Sequence, residues 1–265
     1  MKKKKIRPFF SIITVVKNDE LNIQKTIKSI ISQKFRDFEY IVIDGKSSDK
    51  TFSKIKKYNT RINHISSKKD KGIYFAMNRG IKIAKGTFLI FVNSGDVLTK
   101  NALRNINSFY KKNSKVDFIF GTVKRYYTTG PIIKSGYNKF RLHYNFDFAT
   151  SHSTGFYIKL QSIKKLNFFN TRYKCSADYD LYYRAIIKKN LKGASMNRNT
   201  VIGIMKSGGY SSKVSFWQHL LEETKIRYDN NQNIFLIIVI FCNAVIKFII
   251  KKNLEFFFKI ISKFF

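Results

Sequence analysis

Three aspartates in the first hundred residues each follow an apolar or extended segment, a position in which a carboxylate can do chemistry. The apolar run 88–92 is followed by the turn Asn93-Ser94-Gly95-Asp96, and Asp44 and Asp70 follow two earlier segments. A short apolar run before a polar turn is typical of a buried strand of a parallel sheet. Open α/β sheets bind ligands at the carboxyl ends of such strands. Ordinary turns use the same residue types, so that alternative stays open for each aspartate.

The segments around these aspartates alternate between strand and helix. β-branched and aromatic residues predict strands at 9–16, 38–43, 62–65 and 88–92. Between them, apolar residues at helical spacing, such as Ile23, Ile27 and Ile30, predict amphipathic helices. This alternation predicts a parallel, right-handed, doubly wound α/β sheet over roughly the first hundred residues. A further helix is expected from Ala102 and a further strand at 116–123.

Composition and missing motifs exclude several classes of protein. The chain has 265 residues and two cysteines far apart, so neither a disulfide framework nor a zinc site is expected. No G-x-G-x-x-G follows the first strand and no P-loop occurs, which excludes the common dinucleotide and P-loop enzymes. The net charge is +35, but the lysines are spread along the whole chain. We therefore expect no nucleic-acid partner, and favour an anionic membrane surface or a phosphate-bearing substrate.

Five motifs, in order along the first hundred residues, resemble those of family 2 glycosyltransferases. The nearest resemblance is to the bacterial branch that builds exopolysaccharide, capsule and lipopolysaccharide. The motifs are Ser11-Ile12-Ile13-Thr14 with Asn18 and Glu20, the segment 42–51, Asp70-Lys71-Gly72-Ile73-Tyr74, Ala76-Met77-Asn78-Arg79-Gly80 and Asn93-Ser94-Gly95-Asp96. The resemblance implies a GT-A fold with a doubly wound mixed sheet, a nucleotide-diphosphate sugar as donor (a UDP-sugar above others), a divalent cation (Mn or Mg), and inversion at the anomeric carbon.

The resemblance also assigns the donor-binding residues. Asp44 would accept a hydrogen bond from the ring N–H of the donor's base. Asp70 would help to hold the nucleotide, and Gly72 would let the backbone approach it closely. The other positions matched to nucleotide binding are Thr14, Asn18, Glu20, Ser47, Asn78 and Ser94.

Asp96 matches the last carboxylate of the family's metal-binding motif. A divalent ion held there would neutralise the diphosphate leaving group. The motif departs from the family pattern, because Asn93 and Gly95 stand where many relatives have acidic residues. One carboxylate is therefore expected to anchor the metal.

The segment Ser176-Ala177-Asp178-Tyr179-Asp180 resembles the family's Glu-Asp-x-Asp segment at the start of a helix, with Ala177 in place of Glu. The resemblance implies that Asp178 is the general base, which an in-line displacement needs within reach of the acceptor hydroxyl. The alternative is that Asp178 or Asp180 caps the helix. Asp180, His152 and Lys206, which begins a glycine-containing loop, are weaker candidates on the acceptor side.

The chain is expected to divide into a GT-A domain at 1–230 and a helical tail at 231–265. The tail is apolar from 234 to 250, interrupted by Asn243 and Lys247, and lysines alternate with Phe and Ile after it. A membrane-spanning helix needs about 20 apolar residues, which is more than the interrupted segment 234–250 supplies. We therefore expect an amphipathic helix, or a pair of helices, lying on the inner face of the cell membrane and holding a cytoplasmic enzyme there. Packing on the catalytic domain, or on a second subunit in a homo-oligomer, is the alternative.

Together these features predict an inverting glycosyltransferase of the hexosyltransferase type. Asp178 would be its general base, Asp96 would hold the metal, and the acceptor would be lipid-linked or a growing polysaccharide. The alternative is a non-catalytic binding or scaffold protein that keeps the sugar-nucleotide fold, suggested by the reduced metal motif and by the Ala177 substitution.

Overall fold

The computed structural model describes residues 7–127, 130–146, 153–206 and 214–261, without the side chains of Lys206 and of 255–261. The strands are β1 (Phe10–Val16), β2 (Phe38–Asp44), β3 (His64–Ser67), β4 (Phe88–Phe91), β5 (Val97–Leu98), β6 (Phe118–Phe120), β7 (Thr122–Tyr127), β8 (Gly130–Lys134), β9 (Phe156–Lys159), β10 (Gly193–Ser195) and β11 (Val201–Lys206). The helices are α1 (Ile23–Ile31), α2 (Thr51–Lys56), α3 (Ile73–Ile83), α4 (Ala102–Lys112), α5 (Lys139–Tyr144), α6 (Leu160–Lys165), α7 (Ala177–Tyr183), α8 (Phe216–Asp229) and α9 (Ile234–Ile261).

Seven strands form the main sheet, in the order β10-β6-β9-β4-β1-β2-β3. The first four strands along the chain are parallel, whereas β9 runs antiparallel to both β4 and β6. The sheet is therefore mixed, which confirms the expected α/β fold class. Because β1 to β4 are parallel, the residues that follow β2, β3 and β4 lie at one edge of the sheet.

The central strand β1 shows why this sequence forms a buried sheet. All seven of its residues are buried, and their side chains alternate between two cores. Ile13 and Val15 pack with α3 and α7 on one face. Phe10 and Ile12 pack with α1 and α4 on the other face. The result is three layers, with helices on both faces of the sheet.

Two predicted strands differ from those observed. The strand predicted at 62–65 lies at 64–67, two residues later. The single strand predicted at 116–123 is divided at Gly121 into β6 and β7, which belong to different sheets. A Cβ at Gly121 would lie 2.7 Å from the Ile202 side chain, so a larger residue here would force that side chain to move. Strand β7 then joins a second sheet of four strands, in the order β5-β11-β7-β8.

The C-terminal tail forms one continuous helix, α9, of 28 residues. Its segment 234–254 is long and apolar enough to cross a membrane, judged by length and composition alone, and 11% of the most apolar part is buried in the protein. Nine consecutive apolar residues at 234–242 cover every side of the helix. Phe248 stacks on Phe216 with ring centroids 4.0 Å apart, so α9 folds back against α8.

Candidate active site

Asp44 ends β2 and its carboxylate is enclosed by hydrogen-bond donors. The residue is fully buried. Its oxygens accept from the hydroxyl groups of Ser47 and Ser67, each at 2.5 Å, and from the Ser47 N–H at 3.1 Å. The carboxylate is thereby fixed at the carboxyl edge of the sheet, where the sequence predicted it.

The loops that follow β1 and β2 are joined by side chains. The Asn18 side-chain oxygen accepts from the Ser48 N–H at 2.9 Å, and the Asn18 N–H donates to Ser47 Oγ at 2.9 Å. Glu20 accepts from the Lys50 N–H at 3.0 Å, which caps the start of α2. The structure thus brings the predicted donor-binding residues Asn18, Glu20 and Ser47 together beside Asp44.

Two of the predicted nucleotide-binding residues have structural roles instead. Thr14 is fully buried, and its hydroxyl donates to the Val92 carbonyl at 2.7 Å and pairs with the Tyr40 hydroxyl at 3.0 Å. The Asn78 amide exchanges two hydrogen bonds with the backbone of Phe169, at 2.9 and 3.0 Å. Thr14 is buried and Asn78 is partly buried, and these hydrogen bonds use both side chains to hold the fold.

Asp70 lies in the loop between β3 and α3. Its Oδ1 accepts from the Gly72 N–H at 3.3 Å, and its Oδ2 is 3.6 Å from a guanidinium nitrogen of Arg79. That Oδ2 is buried and accepts no hydrogen bond from the residues that the structure describes. Gly72 has φ of +145°, which a residue with a Cβ rarely adopts. The loop therefore presents an unsatisfied acceptor beside a backbone that can approach a ligand closely.

Asp96 is held in the turn after β4 and is 8% exposed. Its Oδ2 accepts from the Thr154 hydroxyl at 2.6 Å. Burial raises the pKa of Asp96 to about 7, although the Thr154 hydrogen bond and the nearby charge of Arg125 act in the opposite direction. The carboxyl group is therefore close to half-protonated at neutral pH, and a nearby cation would favour its ionised form.

The same turn carries further oxygen atoms that could bind a cation. The side-chain oxygens of Asn93 and Ser94 are buried and have no hydrogen-bond partner within the described ranges. Together with Asp96 they make an all-oxygen donor set, of the kind that Mg²⁺ and Mn²⁺ accept. No group of three His, Cys, Asp or Glu residues that could hold a metal occurs in the described part of the chain. The residues therefore fit a cation that is held jointly with the phosphate oxygens of a ligand.

Asp178 lies in the first turn of α7 and is half-buried. Its Oδ1 accepts from the Tyr74 hydroxyl at 3.2 Å and from the Tyr179 N–H at 2.9 Å. Tyr74 lies in the first turn of α3, at the carboxyl edge of the sheet. This contact therefore brings Asp178 to the edge where Asp44, Asp70 and Asp96 lie.

Asp180 is directed into the protein. It is 1% exposed, and its carboxylate pairs with Arg184 at 2.7 Å and accepts from Asn230 at 3.2 Å. A buried carboxylate with these partners fixes α7 to α8. Of the other acceptor-side candidates, His152 lies outside the described residues. Lys206 ends β11 without a described side chain, and 207–213 are also outside.

Three residues that shape the site are not among those predicted from the sequence. Tyr74 belongs to a motif already noted, Thr154 binds Asp96, and Glu222 accepts backbone hydrogen bonds at the start of α7. Glu222 and its partner Ser176 are 46 positions apart, so no local pattern could have indicated their contact.

A groove of about 620 Å³ lies away from these aspartates. Lys112, Lys115, Lys139 and Lys192 are among the residues that line it. Residues 112–116 of the groove lie before β6, and residues 190–193 lead into β10. Because β6 runs in the direction of β4, this groove lies at the opposite edge of the sheet and is not part of the carboxylate site.

The chain is similar in sequence to proteins named as glycosyltransferases. The chain is 32% identical over 120 residues to a PGL/p-HBAD biosynthesis glycosyltransferase of Mycobacterium bovis, an alignment that covers 44% of this chain and 47% of that protein. It is 33% identical over 116 residues to poly(ribitol-phosphate) beta-N-acetylglucosaminyltransferase TarP of Staphylococcus aureus, covering 42% and 35%. The chain therefore matches less than half the length of either relative.

Solved structures share the fold. TarS 1-349 of S. aureus in complex with UDP superposes with a TM-score of 0.67 at 20% identity, covering 83% of this chain and 64% of that one. A Pyrobaculum calidifontis mannosyltransferase in complex with GDP-Man and Mn²⁺ superposes with a TM-score of 0.63 at 13% identity, covering 91% and 69%. At these identities the likeness establishes the GT-A fold.

The family itself is established by the sequence. Residues 11–169, more than half of the chain, match the family described as Glycosyl transferase family 2. The matched segment contains β1 to β4, the Asp44, Asp70 and Asp96 loops, and Thr154. The chain therefore belongs to glycosyl transferase family 2.

Proposed function

We propose that this protein is an inverting glycosyltransferase that moves a sugar from a nucleotide-diphosphate donor, a UDP-sugar above others, to a lipid-linked or polysaccharide acceptor. One observation carries the proposal: the Tyr74 hydroxyl contacts Asp178. That contact places a carboxylate from the second half of the chain beside the edge that carries Asp44, Asp70 and Asp96. An inverting transfer needs this combination of a donor site and a base.

The donor side is formed by the loops after β2 and β3. Asp44 would accept from the base of the nucleotide, and the unsatisfied Oδ2 of Asp70 would accept from another of its polar groups. Structural relatives in complex with UDP, UDP-GlcNAc and GDP-Man support a nucleotide-sugar ligand. A divalent cation, when bound, supplies charge neutralisation for the leaving diphosphate, and Asn93, Ser94 and Asp96 would hold it.

The acceptor side is formed by α7. Asp178 would take the proton of the acceptor hydroxyl as that oxygen attacks the anomeric carbon from the face opposite the diphosphate. A single displacement of this kind inverts the configuration. Tyr74 would keep the Asp178 carboxylate oriented through its hydrogen bond to Oδ1.

The tail supports an acceptor at a membrane. Helix α9 exposes large apolar side chains, among them Phe235, Ile238 and Val239. Lysines at 247, 251 and 252 follow them and would face anionic lipid. We place the enzyme on the cytoplasmic face of the cell membrane, with α9 inserted in it or lying on it, where lipid-linked acceptors are available.

The test is ligand-dependent thermal stability of the detergent-solubilised protein, followed by turnover. UDP, GDP and CMP are each added with and without Mn²⁺, because a ligand that binds only the folded state raises the midpoint. We expect a rise with UDP that requires Mn²⁺, and release of UDP from a UDP-sugar when membrane lipid is supplied. Absence of any nucleotide effect and of any donor turnover would contradict the proposal.

A further inference from the structure

The carboxylate of Glu222, on α8, receives a concentrated set of backbone hydrogen bonds. It accepts from the N–H groups of Lys174, Cys175 and Ser176 at 2.6, 2.7 and 2.6 Å. The Cys175 thiol also donates to it at 3.0 Å. These three residues immediately precede α7, so Glu222 binds the backbone that leads into the helix of Asp178.

The side chain at the N-cap position of α7 does not supply these acceptor oxygens. The residue at the N-cap position of α7 is Ser176, and its hydroxyl makes no capping hydrogen bond to the helix. That hydroxyl pairs instead with His219 Nδ1 at 3.2 Å, and His219 is also on α8. Helix starts leave N–H groups that need acceptors. For the Ser176 N–H the acceptor comes from a different helix. Burial acts to raise the pKa of Glu222, but the hydrogen bonds from Cys175, Lys174 and Ser176 lower it below its usual range.

The same turn is held from the opposite side by α3. The Tyr74 hydroxyl is 3.0 Å from the Cys175 carbonyl and 3.2 Å from Asp178 Oδ1. The backbone of Cys175 is therefore held on both sides: its N–H donates to Glu222, and its carbonyl accepts from the Tyr74 hydroxyl. Asp178 lies three residues further along the chain, so its position depends on this peptide.

Helix α8 is itself fixed at both ends. Its first residue, Phe216, stacks on Phe248 of α9. Near its end, Asp229 accepts from the Tyr173 hydroxyl at 2.8 Å, and the following Asn230 donates to Asp180 of α7 at 3.2 Å. A carboxylate on α8 is therefore a rigid support for α7.

We propose that Glu222 is a positioning residue for glycosyl transfer: its carboxylate fixes the 174–176 backbone so that Asp178 points at the acceptor hydroxyl. In the segment that resembles the family's Glu-Asp-x-Asp, this chain has Ala177 in place of the Glu. Glu222 on α8 supplies a carboxylate that supports α7, the helix of Asp178. The inference rests on the proposed function, because it assumes that Asp178 is the base.

The experiment compares Glu222→Gln with the wild type and with Glu223→Gln, which changes the neighbouring glutamate of the same helix and none of the hydrogen bonds to the 174–176 backbone. In Glu222→Gln an amide NH₂ replaces one of two acceptor oxygens and opposes a backbone N–H. We expect kcat for transfer to fall roughly ten-fold to a hundred-fold, because a small misplacement of a reacting group is costly. The donor KM and the UDP-induced rise in the thermal midpoint should stay at wild-type values. Amide hydrogen exchange should become faster at 174–178 alone.

A second variant, Glu222→Asp, covers the case in which Glu222→Gln does not fold. It keeps the charge but shortens the side chain by one methylene, so we expect an intermediate loss of kcat with the donor KM unchanged. Wild-type kcat in Glu222→Asp, when Glu222→Gln is unfolded, would mean that the contact serves folding only and would overturn the proposal. Wild-type kcat in a folded Glu222→Gln would also overturn it. A wild-type protein without transfer activity would instead refute the proposed function.

Discussion

The turn that carries Asp96 and the turn that carries Asp178 hold their carboxylates in different ways. Asp96 follows a central strand, is 8% exposed, and is fixed by the helix packed beside that strand, because its carbonyl accepts from Thr26 of α1 at 2.8 Å. Asp178 is half-buried on a helix of seven residues. It is oriented by Tyr74, which lies 104 positions away in sequence.

The difference fits the two tasks that we propose for these carboxylates. A carboxylate that is to hold a cation can be buried, since the ion removes the cost of burying its charge. A carboxylate that is to take a proton from an incoming acceptor must remain accessible, so it cannot be held by burial and needs support from side chains. The Asp96 turn would therefore depend on a cation that compensates the buried charge. The Asp178 turn would depend on side chains that orient the carboxylate toward the acceptor.

Asp96→Asn tests the first half of this comparison and should have the larger effect. We expect Mn²⁺-dependent transfer to fall on the order of 10²-fold, since charge neutralisation at the leaving group is worth several kcal/mol. The free energy of unfolding of the metal-free protein should instead rise in this variant. Burial raises the pKa of Asp96 to about 7, so the folded state loses stability as pH rises from about 4 to about 7.

The asparagine removes that buried charge, and Asn can still accept from Thr154. The variant should therefore be more stable than the wild type at pH 8, by up to about 4 kcal/mol, and little changed at pH 4.5. Urea unfolding in EDTA at both pH values measures this. Equal loss of stability at the two pH values would refute the account of this turn.

Tyr74→Phe tests the second half of the comparison. The change removes the hydroxyl that contacts Asp178 and the Cys175 carbonyl. We expect kcat to fall roughly ten-fold, which corresponds to about 1.4 kcal/mol and to the net value of one or two hydrogen bonds. The donor KM should be unchanged. Tyr40→Phe is the matched control, because it removes a buried phenol that pairs with the Thr14 hydroxyl and does not touch Asp178. Equal losses in the two variants would argue against orientation by Tyr74.

Glu223→Gln should have only a small effect on kcat, in contrast to the neighbouring substitution Glu222→Gln. Glu223 is next to Glu222 but lies in a different environment. Burial raises the pKa of Glu223 to about 8, with further increases from the charges of Asp178 and Glu222 and a decrease from Arg227. It is therefore mostly protonated at pH 7, where glutamine is a close substitute.

We expect kcat at pH 7 to change by less than about two-fold, in contrast to Glu222→Gln. Because the folded-state pKa of Glu223 is raised, its ionisation lowers stability as pH rises from about 4.5 to about 8. The stabilisation by glutamine should therefore increase over that range and stay constant above it. A pH series of thermal midpoints checks this, and a variant that loses activity at pH 7 would show that Glu223 acts in the reaction.

The sequence predicts one of these regions better than the other. Asp44, Asp70 and Asp96 could be placed at one edge because each follows a strand of a parallel sheet, and that pattern is local. Thr14 and Asn78 were assigned to the nucleotide because a motif gives the position of a residue and not the direction of its side chain. The contacts that orient Asp178 join α3, α7 and α8. They depend on packing between distant segments, which no periodicity in one sequence records.

The most direct test of the central claim is transfer and nucleotide binding measured together in Asp178→Asn. The side chain keeps its size and can still accept from Tyr74, but it cannot take a proton. We expect transfer to fall by roughly 10²-fold to 10⁴-fold, while UDP with Mn²⁺ raises the thermal midpoint as it does in the wild type. Wild-type transfer in this variant would show that Asp178 is not the base.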